Sequence, residues 1–220
     1  EGGILQSVIQ GGDQLPAELA LIKKQLSAAQ TRLLFSAPWE PGEQGSNAYQ
    51  VAIDDMKANG LDVNGTTQPR AAAFLSGLQS NVLFSFRSKG LAWRELRGKE
   101  FEERLAAIRD PAFRSSLIEE AKQMEPAESI GHSMASSRYF IPPKASFWMG
   151  AQDRPNYTGG KEVSLAKLAE NAGEHPAETW LRLMDETDGR SLFMLRFVNQ
   201  DLSVLPDFMR SDWIVPGVGD

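Results

Sequence analysis

The stretch ILQSVIQ, residues 4–10, is short, apolar and β-branched, which is typical of a buried strand. Two comparable stretches follow along the chain, RLLFSAPW at residues 32–39 and LDVNGTTQPR at residues 61–70. Three leucines at equivalent positions are each 28 residues apart, namely Leu5, Leu33 and Leu61. That spacing is the length of one strand–helix unit in a parallel α/β architecture, so it predicts three neighbouring parallel strands.

The segments between these strands have helical periodicity. In AELALIKKQLSAA the apolar residues Leu19, Ile22 and Leu26 fall on one face, and Pro16 suits the first turn. A second helix is predicted to have Ser46 as its N-cap and an apolar face made of Ala48, Val51, Ala52 and Met56. The fold class is therefore α/β. It is either a TIM-like (β/α) barrel, whose strand ends converge on one mouth, or an open doubly wound sheet.

The charge pattern divides the chain into three segments. Residues 1–83 carry the strand–helix units, residues 84–145 form a charged helical insertion with a return loop, and residues 146–220 hold the remaining barrel units. Within the insertion, IRDPAF predicts Asp110 as a helix cap with Pro111 at the first helical position. The insertion is interpreted either as a lid over the barrel mouth or as a solvated helical excursion with no part in binding.

Composition limits the chemistry that the chain can perform. Its 220 residues carry a net charge of −6, which argues against a nucleic-acid-binding protein because such proteins present a basic face. The absence of cysteine excludes disulfides, thiolate nucleophiles and cysteine-bound zinc. The two histidines, His132 and His175, are far apart, so a self-contained histidine metal site is hard to build. The longest apolar runs fall well short of the roughly 20 residues of a membrane span and no signal peptide is visible, so we expect a cytoplasmic protein with no membrane partner.

Five side chains are candidates for a functional site. Asp220 follows WIVPGVG and is predicted at a strand tip, where it would bind a metal or exchange protons with a metal-bound water; the alternative is a surface acid. Gln68 and Arg70 follow the third strand, and the Arg70 guanidinium suits a substrate carboxylate unless it pairs locally. Trp39, at the end of the second strand, either walls a pocket or simply packs. His132, in a polar loop, either contacts substrate or is exposed.

Several stretches together resemble the amidohydrolase superfamily, in particular its D-aminoacylase-like (N-acyl-D-amino-acid deacylase) branch. They are TQPR followed by FLSGLQSN, then IRDPAFRSSLIEEA, VSLAKLAENAGEHPAETWLRLM and LPDFMRSDWIVPGVGD, of which the last matches best. In that family the strand corresponding to VPGVGD carries the catalytic acid/base that faces the metal. The resemblance therefore implies this role for Asp220.

The resemblance also implies a fold and a reaction. The fold is a TIM-like barrel with a mobile lid, and the reaction is hydrolysis of the amide bond of an N-acyl-D-amino acid or a related substrate. Zinc or another divalent metal would polarise the amide carbonyl and activate water. Asp220 would take the proton of that water and pass it to the leaving amine, while Gln68 or Arg70 would contact the substrate.

The sequence departs from the family pattern in its metal ligands. The early His-x-His motif and the later metal histidines have no counterpart in it. We therefore expect part of the barrel only: a fragment that binds no metal tightly, is inactive in isolation and exposes half-barrel edges through which it self-associates. The alternative is a non-catalytic α/β domain that binds a small acidic ligand or a partner chain.

Overall fold

The computed structural model describes residues 3–8, 14–39, 46–80, 82, 91–126, 139–140 and 142–217. The chain divides into two compact units, the first made of residues 1–72 with 201–220 and the second of residues 73–200. Both helices and strands are present, so the predicted mixed α/β class is confirmed.

The elements of the described chain are numbered in order. The α-helices are α1 (Leu15–Ala29), α2 (Ala48–Ala58), α3 (Leu91–Gly98), α4 (Phe101–Arg109), α5 (Pro111–Lys122), α6 (Leu165–Ala172), α7 (Pro176–Glu186) and α8 (Leu205–Phe208). The strands are β1 (Ile4–Val8), β2 (Arg32–Ser36), β3 (Val63–Thr67), β4 (Ala72–Gly77), β5 (Glu125–Pro126), β6 (Tyr139–Phe140), β7 (Ser146–Trp148), β8 (Leu192–Val198) and β9 (Ile214–Pro216).

The first unit contains a four-stranded parallel sheet with the order β1-β2-β3-β9. Leu5 lies opposite Leu33, as the 28-residue spacing predicts. The next pair places Val63, rather than Leu61, opposite Leu33. Leu61 instead closes the end of α2, where its backbone N–H donates to the Met56 carbonyl oxygen at 3.1 Å. For this reason β3 begins two residues later than the spacing predicts.

One hydrophobic core holds the first unit together. Apolar side chains of α1 and α2 pack with the odd-numbered residues of β2 and β3 and with residues of α8 and β9. The fully buried members, with at most 2% of their surface exposed, are Leu26, Leu33, Phe35, Ala37, Tyr49, Ile53, Met56 and Val63. Because these helices cover one face of the sheet, they fix the strands whose ends form the candidate site.

Two expectations for α2 are wrong. The N-cap is Asn47 rather than Ser46, since the Asn47 side chain accepts a hydrogen bond from the Tyr49 N–H at 3.1 Å. Val51 is 54% exposed, because the helical period that buries Tyr49, Ala52 and Met56 places position 51 on the opposite face. The buried face is made of Tyr49, Ala52, Ile53 and Met56.

The second unit has a sheet of a different kind. Its strand order is β4-β8-β7, and β7 runs antiparallel to β8 with Phe147 opposite Met194. This differs from the expectation that residues 146–220 supply further parallel strands: among the described strands of that segment, β9 joins the parallel sheet and β7 and β8 do not. A separate two-stranded parallel pair is formed by β5 and β6 in the same unit.

The helices of the charged segment share one core with the later elements of the second unit. Side chains of α3, α4 and α5 pack with α6, α7 and β8. At its centre the rings of Trp93 and Trp180 meet edge to face, with their centroids 6.0 Å apart. The predicted Asp110 cap is confirmed, since its carboxylate accepts from the Phe113 N–H at 2.7 Å. None of the helices in the described ranges combines the length and apolar content that a bilayer span requires.

Candidate functional site

The carboxyl ends of the four parallel strands lie side by side. The register pairs Val8 with Ser36, Ser36 with Thr66, and Thr66 with Val215. In parallel α/β sheets, ligands bind outside this end of the strands. Residues 36–39, 66–70 and 216–217 follow or end these strands, and we call them the carboxyl edge.

Two buried threonines form the base of the carboxyl edge. Thr66 is 6% exposed and Thr67 is 3% exposed, so the hydroxyls at the end of β3 are held inside the unit. The Thr67 carbonyl oxygen accepts a hydrogen bond from the Gly217 N–H at 2.9 Å, which ties the segment after β9 to β3. The sequence reasoning passed over both residues, although they directly precede the two candidates that it chose in TTQPR.

Three of the predicted site residues lie on this edge. Gln68 is half-buried, and its side-chain oxygen is shielded from solvent. Arg70 is exposed, and its Nη1 donates to the carbonyl oxygen of Ala71 at 3.4 Å. Trp39 is half-buried and packs against the core of the first unit. The structure thus brings all three to the same end of one sheet, and their contacts with a substrate stay a prediction.

The other two predicted residues, His132 and Asp220, lie outside the described residues. The approach to Asp220 is described as far as Gly217. The predicted closing strand is present as β9, and it pairs with β3 in the same direction. Asp220 therefore comes four residues after Pro216, the last residue of a strand whose carboxyl end is part of the edge. The acid/base role of Asp220 and the substrate contact of His132 stay predictions.

The charge of the carboxyl edge decides what it can hold. Arg70 is the one ionisable side chain among its residues, so the described part of the edge suits an anionic group rather than a cation. Among the described residues, no group of three or more His, Cys, Asp or Glu side chains is placed to hold a metal ion. These residues therefore do not fit the zinc ion that the resemblance implies, because zinc takes three or four such ligands.

His175 has a structural task that removes it from the list of metal ligands. Its Nδ1 accepts a hydrogen bond from the Ala177 N–H at 3.3 Å, and the Glu178 carboxylate accepts from the His175 N–H at 2.7 Å. This reciprocal pair is a capping box at the start of α7. Burial lowers the pKa of His175, which keeps the imidazole neutral and able to accept that hydrogen bond.

Comparison with protein-family models, curated proteins and solved structures finds no significant match to this chain. The amidohydrolase resemblance therefore rests on the residues quoted for it. What the structure adds to them is the fold class and the place of Trp39, Gln68 and Arg70 on one edge.

Proposed function

We propose that this chain forms part of the (β/α) barrel of a metal-dependent amidohydrolase that cleaves the amide bond of N-acyl-D-amino acids or a related substrate. The observation that carries the proposal is the parallel sheet β1-β2-β3-β9, whose carboxyl ends gather Trp39, Gln68 and Arg70 and whose last strand leads to Asp220. Catalytic groups of barrel enzymes come from this end of several strands.

The exposed edges of the sheet support a place in a larger barrel. All-parallel sheets are normally covered on both faces, and a closed barrel leaves no free edge strand. In β1, however, Ile4 is 64% exposed and Val8 is 78% exposed, and on the other edge strand Val215 is 46% exposed. Further parallel strands that pair beside β1 and β9 would remove part of this apolar surface from water, which is favourable.

The five predicted site residues have different roles in the proposed enzyme. Arg70 binds the carboxylate of the N-acyl amino acid through its guanidinium, which matches a carboxylate in two-pronged fashion. The amide of Gln68 binds the acyl amide, and Trp39 and His132 contact the remainder of the substrate. Asp220 takes a proton from the attacking water and delivers it to the leaving amine nitrogen. The divalent metal that the resemblance implies would supply Lewis-acid chemistry, and its ligands are not among the described residues.

The experiment that tests this function uses the protein made from the complete reading frame that encodes this chain, loaded with zinc. N-Acetyl-D-amino acids and their L enantiomers are offered as substrates, and the released amino acid is measured. We expect hydrolysis of the D series, with a KM that rises roughly 10-fold to 100-fold in Arg70→Ala because a charge-assisted pair is lost. The matched control is Arg32→Ala at the opposite end of β2, where the arginine pairs with Asp62 at 3.0 Å. Absence of hydrolysis, or an Arg70→Ala enzyme equal to Arg32→Ala, refutes the proposal.

A second candidate function is that of a non-catalytic domain that binds a partner chain. The observation that favours it is again β1, which has exposed apolar residues and contains neither Pro nor Lys. These two residue types commonly protect an edge strand from pairing with another chain. A second copy is one partner that fits, since β1 of one copy and β9 of the other can pair in parallel. The test is the molecular mass of the chain in solution with Val8→Lys, and with Leu21→Lys as the control on the exposed side of α1. A dimer that Val8→Lys alone dissociates shows that a second copy binds at β1, and a monomeric wild type excludes a second copy as the partner.

A further inference from the structure

The pairing of β9 with β3 is short and has an extension beyond the strand. Three residue pairs make up the ladder, and they run from Gly65 with Ile214 to Thr67 with Pro216. Gly65 N–H donates to the Trp213 carbonyl oxygen at 2.9 Å at one end, and Gly217 N–H donates to the Thr67 carbonyl oxygen at 2.9 Å at the other. A ladder of only three residue pairs specifies the register of β9 on β3 weakly, so a further interaction is needed to fix that register.

Close packing at Gly217 is that device. A Cβ atom added to Gly217 would overlap the Thr66 Oγ1 atom, so only a glycine fits beside this hydroxyl. Thr66 is 6% exposed and is held in the middle of the register, opposite Val215, and has little room to yield. The neighbours of Gly217 are Pro216 and Val218, which both carry a Cβ atom. A slip of one residue in either direction would therefore push a side chain into the hydroxyl.

A second glycine makes the same approach at the other end of the ladder. A Cβ atom on Gly65 would lie 2.7 Å from Ile214 Cδ1 and 2.8 Å from Ala37 Cβ. Ile214 thus fills the space that the missing side chain leaves over β3. Gly65 admits the side chain of β9, and Gly217 admits the side chain of β3, so the two strands interlock in one register.

We propose that Thr66 and Gly217 are positioning residues that fix the register of β9 on β3. They thereby set the position along β3 from which the chain continues towards Asp220. The part that concerns Asp220 rests on the proposed function. A slip of one residue would move the following chain by about 3.3 Å along the strand and turn its side chains to the other face. A displacement of that size takes a carboxylate out of hydrogen-bond reach of its substrate.

The first test is a double-mutant cycle on stability, which needs no activity. Gly217→Ala is expected to raise the unfolding equilibrium constant in urea by roughly 10-fold, because extra volume is forced into a packed site. Thr66→Ala removes the hydroxyl, so the double variant should recover most of that loss. The matched control is Gly3→Ala, where an added Cβ meets nothing within 4 Å, and we expect a change below about 2-fold. Effects that simply multiply in the double variant would overturn the proposal.

Two further outcomes of this cycle also decide the proposal. If Gly217→Ala yields no folded protein, the folding of the Thr66→Ala/Gly217→Ala variant decides instead: a folded double variant supports the interlock, and an unfolded one overturns it. If both single variants are as stable as the wild type, the hydroxyl and the glycine do not compete for space, and the proposal fails.

The second test reads catalysis in the zinc-loaded protein from the complete reading frame. Gly217→Ala should lower kcat roughly 100-fold with little change in KM, since a displacement of 1 Å has an effect of that order, and Thr66→Ala should restore it. Coupling in stability without hydrolysis by the wild type would refute the proposed function and leave the interlock standing. Hydrolysis with an unchanged kcat in Gly217→Ala would refute the positioning role and leave the proposed function standing.

Discussion

Glu120 of α5 caps the start of α3, and its replacement should weaken the second unit. The Oε1 atom of Glu120 accepts from the Ala92 N–H at 2.9 Å, and Oε2 accepts from the Trp93 N–H at 3.4 Å. These N–H groups belong to the first turn of α3, where a helix has no carbonyl partners of its own. A carboxylate at this position also interacts favourably with the positive end of the helix dipole. We therefore predict that Glu120→Ala destabilises the fold.

The size of the effect follows from these contacts. Loss of a helix cap costs about 1 kcal/mol in most proteins, and the interaction of a charge with the helix dipole adds about 0.3–1 kcal/mol. Trp93 is fully buried, so its N–H cannot recruit water in place of the lost acceptor. We expect Glu120→Ala to lower the free energy of unfolding by about 2 kcal/mol. Glu120→Gln, which keeps one acceptor oxygen, should lower it by about 1 kcal/mol.

Urea denaturation followed by circular dichroism measures both values, and the neighbouring Glu119→Gln is the control. The Glu119 side chain is 64% exposed and makes an ion pair with Lys122 at 3.8 Å, which predicts a change within about 0.5 kcal/mol. The order Glu120→Ala, Glu120→Gln, Glu119→Gln is thus expected. If Glu120→Ala and Glu119→Gln have the same midpoint and slope, the Glu120 carboxylate does not cap α3.

Three further predictions concern the second unit. A hydrogen bond from Arg182 lowers the pKa of Glu174 from its ordinary value of 4.5, so the pair stabilises the fold fully above that pH and less as the pH falls. The difference in free energy of unfolding between the wild type and Glu174→Gln should therefore shrink on acidification. A difference that stays constant with pH would contradict this. Arg196 is 2% exposed and donates hydrogen bonds to the carbonyl oxygens of Gly159 at 2.7 Å and Tyr157 at 3.2 Å. Arg196→Met should lower the free energy of unfolding by about 3 kcal/mol and speed amide hydrogen exchange in the segment around Tyr157 and Gly159. Unchanged exchange in that segment would refute the prediction. Gly98→Ala at the end of α3 should raise the free energy of unfolding by about 0.5 kcal/mol, because the new Cβ atom would meet nothing within 4 Å. A lowered melting temperature would contradict this prediction.

The order of strands and helices from β1 to β3 was predictable from local sequence patterns, because each strand and its following helix lie within one 28-residue stretch. The pairing of Leu5 with Leu33 follows from that regularity. The same patterns were wrong in predicting a buried β1, since Ile4 is 64% exposed and Val8 is 78% exposed. The pattern was wrong by two residues at Leu61, because the chain uses this leucine to close a helix before β3 begins. Periodicity alone does not distinguish an apolar residue that ends a helix from one that begins a strand.

Long-range pairing could not be read from the same patterns. Local patterns do not show that β8 pairs antiparallel with β7 or that β8 lies outside the parallel sheet, because both depend on residues far apart in the chain. The candidate site follows the same division. Gln68 and Arg70 were recognisable as polar residues after a strand, whereas the role of Gly217 against Thr66 becomes visible only when β9 lies beside β3.

We propose that Asp220, which follows β9 in the chain, is the acid/base of an amide hydrolase, and one measurement tests this role directly. The rate of N-acetyl-D-amino acid hydrolysis by the protein from the complete reading frame is compared between the wild type, Asp220→Asn and the control Asp212→Asn, which changes an exposed aspartate before β9. We expect Asp220→Asn to lower kcat by about 100-fold or more and Asp212→Asn to leave kcat unchanged. Equal rates for the wild type and Asp220→Asn would contradict the acid/base role of Asp220.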